Sequence, residues 1–286
     1  MRRDGAAILL GALTLSFVAG CVGGHGPGAA DPQSVAIYDV ANDEFHKGRL
    51  REALAKVQEA LKVDSDNADA EHLGALVHLA FCSRDTGTSD CRFDEAERLA
   101  RGAVDDDPEN REAKNTLGVI LIHEKKFDQA IKVLKPLTAD ILYNSPQVSW
   151  GNLGWAYLEK GSYDEAIDAL RRSVASQPAF CVGNYRLGLA YEKKKEIRAA
   201  REAFKRAVET DRPGCKKIQE AWEGLARSER HLGMLQDARS SYGQCVELAK
   251  DSPSRGRCAT GLKTLPAAPA EATQAAAPAE RPAEGS

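Results

Sequence analysis

The residues best placed to do chemistry in this 286-residue chain are its seven cysteines. Cys21 stands apart, at the end of an apolar stretch. The other six, Cys82, Cys91, Cys181, Cys215, Cys245 and Cys258, are an even set, which in an oxidising compartment reads as disulfides. Six thiols allow about 15 pairings. Proximity favours Cys82–Cys91, Cys245–Cys258, and Cys181–Cys215, which are 34 residues apart. Free thiols buried in helix cores are the alternative for any pair. A zinc reading also exists: His78 and Cys82 lie four apart, on one face of a helix, with Cys91 close in the chain. Disulfides are the stronger reading, so neither a metal nor a cofactor is expected.

A search for catalytic constellations finds little. His123-Glu124-Lys125-Lys126-Phe127 starts like a zinc-protease helix but has Phe where the second ligand belongs. No G-x-S-x-G elbow and no phosphate-binding P-loop is present. The Gly-rich residues 23–28 have no strand before them. Asp105, Asp106 and Asp107 precede Pro108 and read as a solvated turn. With 39 Lys+Arg against 42 Asp+Glu, and no massed basic run, no nucleic-acid footprint exists. Binding rather than catalysis is the expectation.

The N-terminus carries an address. Arg2 and Arg3 precede an apolar run over residues 6–18, too short to span a bilayer as a helix. It ends Val18-Ala19-Gly20-Cys21, which resembles the lipobox of bacterial lipoproteins. The resemblance implies a signal peptide at 1–20, a lipid on Cys21 and a tether over 21–33. Val22 follows the cysteine instead of the Asp that retains such proteins at the inner membrane, which leans to the outer membrane, facing the periplasm. An ordinary secretory signal with a chance cysteine is the alternative.

The middle of the chain repeats with a period near 34 residues. Trp150-x2-Leu153-Gly154-x2-Tyr157, then Ala166-x3-Leu170, then Pro178, resembles the tetratricopeptide (TPR) pattern of two antiparallel helices. Gly154 and Ala166 are small enough for close approach, Leu153, Tyr157 and Leu170 fill the space between, Gly161 turns the chain, and Pro178 ends the second helix. The small residue of the first helix recurs at Ala41, Gly74, Gly118, Gly154, Gly188 and Ala226. That of the second recurs at Ala53, Ala96, Ala130, Ala166, Ala200 and Ala238. The fold class expected is all-α, a TPR solenoid of six helix-turn-helix units in a right-handed superhelix. The units fall at about 34–66, 67–109, 110–146, 147–180, 181–214 and 215–250. Unit two has about ten extra residues, which are expected to lengthen its turn around 83–90. Residues 138–146 break the usual connection between units three and four. The last segment, 251–286, ends in a stretch rich in Ala and Pro that is expected to be disordered.

In a TPR superhelix the first helix of each unit lines the concave face. Counting three before, one after and four after the small residue gives Tyr38 and Phe45 in unit one and Val119 and Ile122 in unit three. The same count gives Trp155 and Leu158 in unit four, and Tyr185 and Leu189 in unit five. Together these make an apolar strip that would suit an apolar or amphipathic partner segment. Packing against neighbouring units is the competing account of the same residues. A lipobox followed by six such units also resembles the type IV pilus secretin pilotins, the PilF, PilW and Tgl group. The likeness is carried by Asn152-Leu153-Gly154-Trp155-Ala156-Tyr157-Leu158-Glu159-Lys160-Gly161 and by Tyr143-Asn144-Ser145-Pro146-Gln147-Val148. It implies the outer-membrane secretin of the pilus machine as partner, and a role in its localisation and multimerisation. A general periplasmic TPR scaffold is the alternative. The extra cysteines, the insertion and the tail depart from the family pattern.

Overall fold

The structure, a computed structural model, describes residues 30–84, 89–249 and 252–266. The segment read as a signal peptide, Cys21, most of the expected tether and the Ala/Pro stretch beyond Pro266 lie outside the described residues. Among those described there are thirteen α-helices and no strand. They run as pairs: α1 Pro32–His46 and α2 Leu50–Val63, α3 Ala68–Arg84 and α4 Phe93–Asp106, α5 Arg111–His123 and α6 Phe127–Leu137. The series continues with α7 Pro146–Lys160 and α8 Tyr163–Ser176, α9 Cys181–Lys193 and α10 Ile197–Glu209, and α11 Gln219–His231 and α12 Leu235–Leu248. A short 3-10 turn, Cys215–Lys217, precedes α11, and α13, Pro253–Lys263, follows the sixth pair. No described helix is long and apolar enough to cross a membrane.

Local sequence explains the elements. α10 buries Ala200, Ala203, Phe204, Ala207 and Val208, a stripe at spacings of three and four that only a helix gathers on one side. Asp31 caps α1 by accepting from the Gln33 amide at 2.8 Å, and Asn110 caps α5 by accepting from Ala113 at 2.8 Å. The hairpin turns of units one, four and six use Gly48, Gly161 and Gly233 at positive φ. Units three and five place Lys125 and Lys195 there instead, both at φ 61°.

Within a unit the two helices meet at the small residues. A Cβ on Gly154 would stand 2.5 Å from Leu170, and one on Gly188 2.5 Å from Phe204. Between units, first helices pack on first helices: α3 on α5, α5 on α7, α7 on α9, α9 on α11. Second helices of successive units touch at most slightly. This asymmetry bends the stack, with the first helices on the inner side.

One segment differs from the expectation and another adds a helix to it. The insertion in unit two is partly helical: α3 has 17 residues where α5, α9 and α11 have 13. And α13 lies inside the C-terminal segment, packed on α11 and α12 as a half-unit that covers the end of the stack. In the 138–145 connector Tyr143 is buried, while Ile141 and Leu142 point outward. Asp140 anchors this connector by accepting from Arg111 Nε at 2.6 Å and from the Leu142 amide at 2.9 Å.

Candidate partner-binding groove

The inner face of units three to five is organised around Trp155 on α7. The Arg186 guanidinium from α9 lies 4.2 Å from the indole centroid, a cation–π contact worth roughly 0.5–2 kcal/mol. On the α5 side the His123 ring meets Trp155 edge-on at 5.1 Å and stacks on Phe93 of α4 at 5.2 Å. The indole Nε1 donates to Glu159 one turn along α7, at 3.2 Å.

A polar seam runs beneath. Arg186 Nη1 donates to Asn152 Oδ1 at 2.9 Å, and Asn152 Nδ2 donates to Asn115 Oδ1 at 2.9 Å, so three successive first helices are joined side to side. In unit two, His72 Nε2 lies 2.9 Å from Thr116 Oγ1 and continues the seam. Burial pulls the His72 imidazole down to about 4, so it is neutral at physiological pH. Burial also lowers Arg186, to about 10, which leaves it cationic at pH 7. His123 is held below the ordinary imidazole value by burial first and by the Arg186 charge second.

The structure sorts the sequence-derived groove residues into groups. Val119, Trp155, Tyr185 and Leu189 are half-buried on the inner face. Tyr185 and Leu189 also pack on the core around Phe204. Ile122 and Leu158, expected in the groove, are buried instead. Ile122 joins the core of units three and four, and Leu158 that of units four and five. The physical reason is geometric: in units three and four the apolar side chain at the fourth position past the small residue reaches the next unit's helices and is covered by them. Tyr38 and Phe45 are half-buried against the unit-one core. At the matching positions unit two holds Glu71, Ala75 and His78, all buried. Being buried, none of them exposes apolar surface between Phe45 and Val119, so among the described residues the strip does not run on from unit one, and its continuous part is Val119, Trp155, Tyr185 and Leu189.

Glu71 gives a pH prediction. It is 6% exposed, and its Oε2 has no hydrogen-bond partner. Burial, then the adjoining Asp106 carboxylate, pushes its carboxyl up to about 8. A carboxyl raised above its unfolded value near 4.5 contributes stability that is fully present below that value and is lost as pH climbs to about 8. Glu71→Gln removes this dependence. Urea midpoints measured across that range are expected to fall for the wild type relative to the variant, the gap levelling off above about pH 8.

All six described cysteines are paired: Cys82 with Cys91, Cys181 with Cys215, and Cys245 with Cys258. The first closes the insertion, the second ties α9 to the turn before α11, and the third ties α12 to α13. His78 therefore has no thiolate beside it with which to share a metal.

Models of the tetratricopeptide repeat match residues 90–142, 148–180 and 185–253, together more than half of the chain. The chain is a TPR protein. No curated protein sequence matches it. Among solved structures it is similar to PilW, a widely conserved type IV pilus biogenesis factor. The TM-score is 0.66 at 20% identity, covering 80% of this chain and 99% of that one. It is similar to PilF of Pseudomonas aeruginosa, with a TM-score of 0.62 at 18% identity, covering 79% and 96%. A thermophilic TPR protein of Thermus thermophilus follows, with a TM-score of 0.55 at 21% identity, covering 68% and 99%. At these identities the likeness is one of fold.

The counting rule, applied to this TPR protein's sixth unit, points inward at Glu223, Arg227 and Arg230, and α13 adds Arg257. Neither these nor Arg186 stood out in the sequence. Arg186 lies two before its unit's small residue, a position the rule skips.

Proposed function

We propose that this TPR protein is a non-enzymatic, lipid-anchored factor of type IV pilus assembly. In this reading it binds the outer-membrane secretin and promotes its localisation and multimerisation. The observation that carries the reading is the extent of the structural match: PilW and PilF are covered over 99% and 96% of their length. The lipobox at Cys21 and the Trp155-centred patch support it. The lipid on Cys21 anchors the solenoid at the periplasmic side of the outer membrane. The patch formed by Val119, Trp155, Tyr185 and Leu189 holds an apolar or amphipathic segment of the secretin monomer until subunits assemble.

The test is deletion of the gene, with the secretin examined on a gel under partial denaturation and surface pili counted. Loss of the heat-stable multimer with persistence of monomer, together with loss of pili, is the expected result. Unchanged multimers and pili overturn the reading. They would favour the second one, a general periplasmic scaffold, for which the extra cysteines, paired here in three disulfides, and the insertion in unit two speak because they depart from the pilotin pattern.

A further inference from the structure

The turn from unit two to unit three is polar, Asp107-Pro108-Glu109-Asn110, as a solvated turn should be. The connector from unit three to unit four instead places Ile141 and Leu142 side by side. Ile141 is 95% exposed and Leu142 66%, more than any other large apolar side chain among the described residues. Their neighbours hold them out. Tyr143 is buried in the core of units three and four, and Asp140 accepts from Arg111 and from the Leu142 amide. A fixed apolar prong in water adds nothing to the fold and marks a contact surface. A socket lies beside it. α6 has 11 residues where α2, α4, α8 and α12 have 14, and Pro136 stands near its end. Between the second helices α6 and α8 a cavity of about 510 Å³ opens. Trp150, Leu153, Tyr157 and Ala169 supply its apolar lining, and Thr138, the first residue of the connector, also lines it. Its charged lining is partly committed: Asp164 pairs with Lys194 at 2.8 Å and Asp168 with Arg172 at 3.1 Å. Lys135 of α6 and Glu165 of α8 line it too, are exposed, and make no ion pair among the described residues.

The geometry points to a second copy of this chain as the occupant. About a two-fold axis, the Ile141–Leu142 prong of each copy enters the α6–α8 cavity of the other, and Lys135 of each faces Glu165 of the other. Three features select a second copy. Prong and cavity adjoin through the connector, so one two-fold rotation fills both cavities and leaves no open end, unlike a head-to-tail contact. The uncommitted cation and the uncommitted anion stand on different helices of one cavity, so the same rotation matches them reciprocally. And the cavity's aromatic and aliphatic lining suits two aliphatic side chains, which water does not. With two large side chains offered per copy, the contact falls below the area of about 1,200 Å² that a stable complex needs, so the dimer is weak and reversible. Trp155 does not line this cavity, so the inference is independent of the secretin reading.

The experiment produces the full chain in cells in two differently tagged versions, one with a photoreactive benzophenone amino acid in place of Ile141. Illumination is expected to link position 141 of one copy to the α7–α8 stretch of the other, as read by mass spectrometry. The purified full chain is expected to show a monomer–dimer equilibrium in analytical ultracentrifugation over micromolar to millimolar concentrations. Ile141→Asp changes a side chain that lies in water, so the fold stays intact. It is expected to weaken the dimer at least about tenfold for each prong, about a hundredfold for the pair. Lys135→Glu and Glu165→Lys are each expected to weaken it, and the double variant Lys135→Glu/Glu165→Lys to restore it, which a merely structural effect would not do. Links only to lipid, to another protein or to the same copy's residues 267–286 overturn the assignment, because the prong then has a different occupant. So does a chain that stays monomeric throughout, or a dimer that Ile141→Asp leaves as tight as before.

Discussion

Phe204→Ala is expected to destabilise the protein by about 3–5 kcal/mol and to split its unfolding into two transitions. The ring is fully buried, and it fills the gap between two backbones. A Cβ on Gly188 in its own unit would lie 2.5 Å from it, and one on Gly224 in the next unit 2.6 Å from it. Leu134 and Leu170 occupy the same place in units three and four, facing the glycines of their own units. Phe204 is thus both the filling of unit five and the plug between units five and six. The cavity cannot close readily, because α9 and the turn before α11 are tied by Cys181–Cys215. A solenoid holds together through nearest-neighbour interfaces, so loss of this one uncouples α11 to α13 from the rest. Amide exchange would show it: α11 and α12 should open before α5 and α7 in the variant, but together with them in the wild type. A single transition with a loss below about 1 kcal/mol would mean that the ring does not carry the interface.

Much of this architecture was legible because it depends on small residues at fixed spacing. Ala41, Gly74, Gly118, Gly154, Gly188 and Ala226 all fall on first helices, as the period requires. The three disulfides join the cysteines that chain proximity had paired, since one repeat of separation brings Cys181 and Cys215 to the same edge of adjacent units. Other features left weaker traces. α13 reads Pro-Ser-Arg-Gly-Arg-Cys-Ala-Thr-Gly-Leu-Lys, with no apolar stripe; its helix depends on the Ser252 cap, the disulfide and packing on Tyr242. The turns at Lys125 and Lys195 take a left-handed conformation with a residue type that does not announce it. Ile122 and Leu158 mark the limit of the facing rule, which fixes a direction but not what covers it. In units three to five one position past the small residue stays half open, as Val119, Trp155 and Leu189 do, whereas in units three and four the apolar residue four past, Ile122 or Leu158, is roofed by the next unit. Arg186 was missed for a related reason: it lies on the seam between units, where a cation gains a ring face and an Asn carbonyl only after the helices are assembled.

Trp155→Glu is expected to abolish partner capture while leaving the solenoid folded. The indole is half-buried, so its removal costs some packing, about 1–2 kcal/mol on the scale of ordinary substitutions. The introduced carboxylate would meet Arg186, which at present lies over the ring with no carboxylate bonded to it. That new pairing offsets part of the loss and keeps the seam from Arg186 through Asn152 to Asn115 intact. Recognition suffers twice: the apolar plate is gone, and the cation beside it is neutralised. A Trp at the centre of a binding patch commonly carries about 2–4 kcal/mol, roughly 30- to 1000-fold in affinity. Cells carrying the variant at wild-type abundance should lose the heat-stable secretin multimer and most surface pili. Trp155→Phe, which keeps an aromatic face for Arg186, should retain an intermediate amount. A folded Trp155→Glu protein that supports full multimers and pili would place the binding surface elsewhere on the solenoid.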